Sequence, residues 1–336
     1  MDSHRNKLYG IKKERQVKEG IETGVVIRST GSWYQVRTET GQVLECRIAG
    51  KFRQEDKNLT NPITVGDEVV VLLDPQGDNA LIREILPRRN YLLRQSPHRK
   101  RDLHLLASNV DQAMLITTIV SPNLKPGFID RFLLMTEPFN IPAIIVFNKA
   151  DVYDDDAFDL YAYMEEVYQK IGYQVVLTSA LNRIGTDDLK KILEGKTTLV
   201  SGQSGVGKTS LINAIEPQLQ LRTQILSGYS GKGQHTTTFA EMFPLSFGGY
   251  IIDTPGIKTL GFIHLEPLDV AHNFREFFRL SEECRFGGQC LHRNEPGCAV
   301  KAALEKEEVS ELRYMNYLNI LDEIEAQNYW ERHKEV

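Results

Sequence analysis

Residues Gly202, Gln203, Ser204, Gly205, Val206, Gly207, Lys208, Thr209 and Ser210 place glycines, a lysine and a hydroxyl at the spacing G-x-x-x-x-G-K-[ST]. In such a loop the glycines let backbone N–H groups close around phosphates without side-chain collision. Lys208 supplies a point charge for the β- and γ-phosphates, and the Thr209 hydroxyl can hold Mg²⁺. A second set, Asn148, Lys149, Ala150 and Asp151, suits guanine. The Asp151 carboxylate can accept from both N–H groups on guanine's Watson–Crick edge, a pair adenine lacks, and a wrong base leaves buried polar groups unpaired. Asn148 can hold the neighbouring base edge, the Lys149 stem can cover ring or ribose, and backbone at Ser179 and Ala180 can reach the base.

Two further pieces complete a GTP and Mg²⁺ site. In "DTPG", Asp253 suits a water-mediated contact to the metal and the Gly256 N–H can meet the γ-phosphate. The preceding "SGKGQHTTTF" reads as a switch loop in which Thr237 completes the Mg²⁺ shell when the γ-phosphate is present. Many GTPases orient the attacking water with a glutamine just after the D-x-x-G segment; here that position is Ile257, which cannot do so. His235 in the switch loop is the nearest substitute, and a solvent-exposed loop histidine is the alternative reading. Intrinsic hydrolysis is therefore expected to be slow, rising when a partner orders the switch.

The order of these pieces is rotated. The guanine elements (148–151, 178–180) precede the phosphate loop (202), the switch (235–238) and "DTPG" (253–256). A GTP-binding domain tolerates such rotation when its original ends lie close together. The link "EGK" at 194–196 would join them, with new ends opening between "DTPG" and the strand near 110.

Downstream, Cys284-x5-Cys290-x-His292-x5-Cys298 gathers three thiolates and one imidazole, a closed set suited to one tetrahedral structural Zn²⁺. Cys46 reads as an ordinary buried cysteine.

The elements that must position these groups follow from pattern. Residues 24–86 alternate short Val/Ile/aromatic runs with turn signals, which predicts an OB-type β-barrel of five strands; Trp33, Tyr34 and Arg37 are candidates for a nucleic-acid face, or Trp33 is core. Residues 86–102 read as a connector. From 110, buried strands alternate with helices, the signature of a parallel α/β sheet covered on both faces. Residues 265–336 read as helical around the Cys/His loop, with Ser310 capping a last helix whose buried stripe is Leu312, Tyr317, Leu318, Leu321 and Ile324. The expected division is 1–95 for basic arm and OB-fold barrel, 96–264 for a circularly permuted P-loop GTPase domain, and 265–336 for a helical zinc-binding domain.

Among the 336 residues no apolar run of membrane-spanning length occurs and the first twenty residues lack a signal-peptide centre, so a cytoplasmic protein is expected with no membrane partner. The formal net charge of −5 hides an asymmetry. Residues 1–20 carry six Lys/Arg against three Asp/Glu and residues 83–104 seven against two, whereas 301–336 carry five against nine. The basic stretches are either a solvated surface or a polyanion footprint around the first domain.

Taken together, the barrel, "NKAD", "GQSGVGKTS", "GQHTTT", "DTPG" and the cluster ending "HRNEPGCAVKAALE" resemble the ribosome small-subunit-dependent GTPase A family of circularly permuted bacterial GTPases over nearly the whole chain. The resemblance implies a GTP hydrolase (GTP and water to GDP and phosphate) acting late in small (30S) ribosomal subunit assembly. It also implies rRNA binding through the barrel and zinc domain, turnover stimulated by the subunit, and a catalytic role for His235 beside Lys208. The expected partners are the small subunit with its rRNA and GTP/GDP, with a monomer off the ribosome. One departure is visible: five residues separate Cys284 from Cys290 where the family usually has four, which should widen that loop. Two rivals stand beside this reading. One is a permuted GTPase acting on the large subunit; the other is an RNA-binding module with a regulatory rather than catalytic nucleotide site.

Overall fold

The computed structural model describes residues 20–31, 33–48, 61–73, 79–95, 103–221, 240–253 and 265–332. Strands β1 (Ile21–Ser29), β2 (Tyr34–Thr38), β3 (Val43–Ile48), β4 (Glu68–Leu73) and β5 (Asn79–Ile85) pair in the order β1-β2-β3-β5-β4. The barrel closes where β4 pairs back onto β1. Alternate residues turn inward to fill it: Val26, Tyr34, Val36, Leu44, Cys46, Val69, Val71, Ala80 and Ile82. Tyr34, 1% exposed, is therefore core and cannot belong to a nucleic-acid face; the alternation that buries it turns Gln35 and Arg37 outward. Cys46 is buried as expected.

The stretch read as a connector contains a strand, β6 (Tyr91–Gln95), which makes a hairpin with β7 (Leu103–Ser108) just beyond it. Its charged residues break the apolar alternation in sequence, yet Leu92, Leu106 and Ala107 are buried in the largest core, and Leu105 is buried too. Arg88, just before it, forks onto Asp67 of the barrel at 2.6 and 2.8 Å. Gly66 stands at φ +92°, and a Cβ there would meet the Ser108 carbonyl oxygen at 2.0 Å, so glycine lets the barrel abut the hairpin.

The central sheet contains β8 (Gln112–Thr117), β9 (Ala143–Phe147), β10 (Gln174–Leu177), β11 (Thr197–Gly202), β12 (Glu241–Pro244) and β13 (Tyr250–Asp253), in the order β10-β9-β8-β11-β13-β12. All neighbours are parallel except β12–β13. β8 and β9 are buried along their whole length because helices cover both faces. α1 (Pro126–Thr136) and α2 (Asp155–Lys170) pack on Ala113, Leu115, Ile145 and Phe147. α3 (Thr186–Leu193) and α4 (Lys208–Ile215) pack on Met114, Ile116, Ile144 and Val146. Each such fully buried Leu, Ile, Val, Met or Phe side chain contributes roughly 1.5–3 kcal/mol. Pro126 opens α1, and the Asp154 carboxylate caps α2 by accepting from the Ala157 N–H at 2.9 Å. The barrel and this sheet are continuous, because Arg28 of β1 pairs with Glu241 of β12.

The C-terminal helices are α5 (Pro267–Asn273), α6 (Arg275–Ser281), α7 (Ala299–Glu305) and α8 (Glu311–Arg332). The Ser310 hydroxyl lies 3.5 Å from the Arg313 N–H at the start of α8. Its buried stripe includes Tyr317, Leu321 and Ile324 as expected, and adds Tyr314 and Ile320; Leu312 and Leu318 are only partly buried. The sequence reading also missed Arg313. Its guanidinium, 2% exposed, forks onto Glu276 at 2.8 and 3.0 Å and pairs with Asp130 of α1, which is fully buried. Tyr168 of α2 and Asn316 also donate to Asp130, at 2.8 and 2.6 Å. Arg131–Glu323 and Arg275–Glu137 pairs flank this contact. No helix among the described residues is long and apolar enough to cross a membrane.

Candidate nucleotide and metal sites

The guanine and phosphate loops meet at the C-terminal ends of β9, β10 and β11, where ligands bind in open parallel sheets. Asn148 follows β9 and is 1% exposed. Its amide donates to the Val206 carbonyl at 2.9 Å. Its Oδ1 accepts from the Thr178 hydroxyl at 3.1 Å and the Ala180 N–H at 3.3 Å. One side chain thus holds three loops. Asp151 accepts from the Ser179 hydroxyl, whose oxygen in turn accepts from the Asn182 N–H at 3.1 Å. Lys149 sits at φ +69° and sends its ammonium to the Ser121 carbonyl at 2.6 Å.

In the phosphate loop Gly205 and Gly207 have φ +87° and +85°. A Cβ on Gly207 would come within 2.6 Å of the Asn148 amide nitrogen, so the left-handed turn and the guanine loop both demand glycine there. Gly202 ends β11, Gln203 and Ser204 enter the turn, Val206 anchors it at 1% exposure, and Lys208, Thr209 and Ser210 begin α4. The Lys208 ammonium lies 3.0 Å from Asp253 Oδ1, with the two side chains 10% and 6% exposed. Burial raises the Asp253 pKa above its ordinary value and outweighs the opposing attraction of Lys208. Thr209 is also buried, at the start of the same helix. Lys208 and Asp253 thus form a charged pair beside the phosphate loop, with Thr209 next along the same helix. His235, Thr237 and Gly256 lie outside the described residues, as do the basic arm at 1–19 and residue 257.

Two contacts of this pocket were not legible in sequence. The first is Ser121 with Pro122, whose ring lies 3.7 Å from where a Cβ on Gly205 would sit. The second is Tyr153, whose hydroxyl donates to the Asn148 carbonyl at 2.8 Å. Nothing in the residue types between 118 and 125 marks that loop as part of a nucleotide pocket.

In the C-terminal part, the donor atoms of Cys284, Cys290, His292 and Cys298 all lie within 4.8 Å of one another, and all four residues are buried. His292 Nδ1 stands 3.7 Å from Cys284 Sγ and 3.4 Å from Cys298 Sγ. A tetrahedron with metal–sulfur bonds of about 2.3 Å and metal–nitrogen bonds of about 2.0 Å has sulfur–nitrogen edges of about 3.5 Å, so the set fits a metal ion. Burial lowers the His292 pKa and favours the neutral, ligating imidazole. Burial also pushes the Cys290 thiol up to about 12 and raises Cys298, so charged thiolates here call for a cation. The Ala299 N–H donates to Cys284 Sγ at 3.2 Å. A short 3₁₀ turn at Gly287–Gln289 lies between Cys284 and Cys290, and both sulfurs lie in the cluster.

A doubly covered parallel sheet whose guanine loop precedes its phosphate loop, joined to a five-stranded barrel and a Cys/His domain, defines a circularly permuted GTPase. The sequence model of the RsgA GTPase matches residues 85–263, and that of the RsgA N-terminal domain matches residues 23–81. The small ribosomal subunit biogenesis GTPase RsgA of Phocaeicola vulgatus is 50% identical over 306 residues, covering 91% of this chain and 98% of that one. The protein of the same name from Flavobacterium johnsoniae is 47% identical over 302 residues, covering 89% and 93%. Among solved structures, YjeQ from Thermotoga maritima superposes with a TM-score of 0.74 at 35% identity, over 90% of this chain and 98% of that one. The circularly permuted GTPase YloQ gives 0.70 at 32% identity, over 92% and 96%. The chain belongs to the RsgA GTPase family and hydrolyses GTP.

Proposed function

We propose that this GTPase couples GTP binding and hydrolysis to late maturation of the small ribosomal subunit, in the cytoplasm and as a monomer when off the subunit. The single observation that carries the nucleotide assignment is the Asn148 side chain, which ties the guanine loop to the phosphate loop through Val206 and to the third loop through Ala180. The relatives, which are small ribosomal subunit biogenesis GTPases, support the biological assignment over a large-subunit or purely RNA-binding role.

In this reading Asp151 accepts from guanine, with Ser179 fixing its carboxylate. Backbone N–H groups of 203–209 cradle the phosphates, and Lys208 exchanges Asp253 for the β- and γ-phosphates. Thr209, Thr237 and Asp253 would hold Mg²⁺, which when bound would supply neutralisation of phosphate charge. The Gly256 N–H meets the γ-phosphate, and His235 positions the attacking water, because Ile257 offers no polar group. Cys284, Cys290, His292 and Cys298 hold one Zn²⁺ that organises the fold and takes no part in the chemistry. On the barrel, the Arg47 guanidinium stacks 4.1 Å from the Trp33 ring centroid beside Arg28, a platform on which an rRNA base can stack.

GTP turnover with purified small or large ribosomal subunits tests the function. Stimulation by the small subunit alone is expected; equal stimulation by both, or by neither, overturns it. Asp151→Asn should abolish preference for GTP over ATP, and a retained preference removes Asp151 from base recognition.

A further inference from the structure

Tyr153 is a core residue by burial, 8% exposed, its ring packed among Phe147 and Ala157 and edge-on to Phe158 at 5.5 Å. Phenylalanine would serve that packing equally well. The hydroxyl does something else. It donates to the Asn148 carbonyl at 2.8 Å and accepts from the Ile119 N–H at 3.0 Å, with the Thr118 hydroxyl 3.4 Å away. Burial raises the phenol's pKa, so it stays a neutral donor.

The two groups it joins belong to different loops. The Asn148 carbonyl belongs to the peptide that enters Lys149, which stands at φ +69°, a region that L residues other than Asn and Asp populate rarely. The orientation of that peptide sets where Lys149 and Asp151 point. The Ile119 N–H begins the loop that continues to Ser121, the acceptor for Lys149 Nζ at 2.6 Å, and to Pro122 beside Gly205. The Tyr153 hydroxyl and the Lys149 ammonium are thus two pins from the guanine loop into one neighbouring segment. That segment in turn touches the phosphate loop.

We propose that Tyr153 is a positioning residue for guanine recognition: its hydroxyl fixes the backbone of the guanine loop against residues 118–122, and so aims Asp151 at the base. The inference rests on the guanine-site reading above. Without the hydroxyl the Asn148 carbonyl and the Ile119 N–H lose their shared partner, the peptide before Lys149 is freed, and Asp151 samples orientations that do not meet both guanine N–H groups.

Tyr153→Phe tests this, because it removes one oxygen and keeps the ring. GDP, IDP and ADP affinities are compared in wild type and variant, since inosine lacks the 2-amino group that Asp151 reads. GDP should bind about tenfold more weakly to the variant, about the worth of one net hydrogen bond and a freed loop, with IDP changing less than threefold. For GTP the loss should fall on KM rather than kcat. Phe158→Leu, which disturbs the same ring and leaves the hydroxyl, should lower the thermal midpoint without changing the GDP-to-IDP ratio. In wild type, exchange of the Ile119 amide should slow on adding GDP and not on adding ADP. An unchanged GDP-to-IDP ratio in Tyr153→Phe, an equal loss for GDP and IDP, or Ile119 exchange blind to GDP overturns the role of Tyr153 while leaving the guanine site intact. A wild type that binds ADP as well as GDP overturns the site and this inference together.

Discussion

Arg313→Ala is the substitution with the largest effect that the structure supports outside the nucleotide pocket. The guanidinium makes two bonds to Glu276 at 2.8 and 3.0 Å, pairs with Asp130 and stacks 4.3 Å from the Phe274 ring centroid. Asp130 is fully buried and Glu276 is 13% exposed, so the alanine variant leaves two carboxylates with little water to turn to. Breaking a buried ion pair by removing one partner costs about 3–5 kcal/mol, mostly through the stranded charge. For a cooperative unit of about 150–250 residues each kcal/mol lowers Tm by about 2–4 °C, so a fall of about 10–15 °C is expected. Thermal melts followed by far-UV circular dichroism read it, and hydrogen exchange should report the opening first in α1 and α8. The companion variant, Arg313→Met with Asp130→Asn and Glu276→Gln, removes all three charges and should recover more than half of the loss. A single Arg313→Ala variant melting within about 3 °C of wild type refutes the reasoning, as does a triple variant that melts lower still.

Gly207→Ala should weaken GDP binding about a hundredfold in a fluorescent-nucleotide titration: its Cβ would lie 2.6 Å from the Asn148 amide, and φ +85° disfavours alanine. Affinity within tenfold of wild type would mean that the two loops separate at little cost. Zinc uptake by the metal-free chain at pH 7 should release at least two protons, because the Cys290 and Cys298 thiols are raised above their ordinary range, Cys290 to about 12. Affinity for the ion should therefore rise with pH, and calorimetry in buffers of different ionisation enthalpy counts the protons. Uptake with no proton release contradicts thiolate ligation. Chelation should unfold the C-terminal helices, whose core contains the three sulfurs, while GDP affinity stays within about threefold.

The two loops proposed to take the nucleotide were legible because their chemistry is local: a phosphate loop needs its glycines and lysine at fixed offsets, and a guanine loop its asparagine and aspartate. The rotated order and the Cys/His cluster that could hold a metal were readable for the same reason. Structure that depends on distant partners was not. Asp130 and Arg313 stand 183 positions apart, and neither looks unusual alone. The hairpin β6–β7 hid behind arginines, one of which, Arg88, is neutralised by Asp67 rather than offered to a polyanion. Tyr34 was misassigned because a strand pattern does not say which of two alternating faces is inside, a question only barrel closure answers. Tyr153 gave no signal, since a buried tyrosine in sequence is indistinguishable from a core ring.

The position of β11 has a consequence for how the chain is made. This central strand wedges between β8 and β13, pairing Thr198 with Gln112, and is synthesised 86 residues after its neighbour. Until it emerges, β8 presents a bare edge with an apolar centre, Ala113 to Ile116, the kind of surface that templates aggregation. Leu134 of α1 waits longer, since the helices that cover it come last. Long-range closure of this kind slows folding, so a nascent or truncated chain ending before residue 197 leaves β8 without its β11 neighbour and is expected to aggregate more readily than the whole chain.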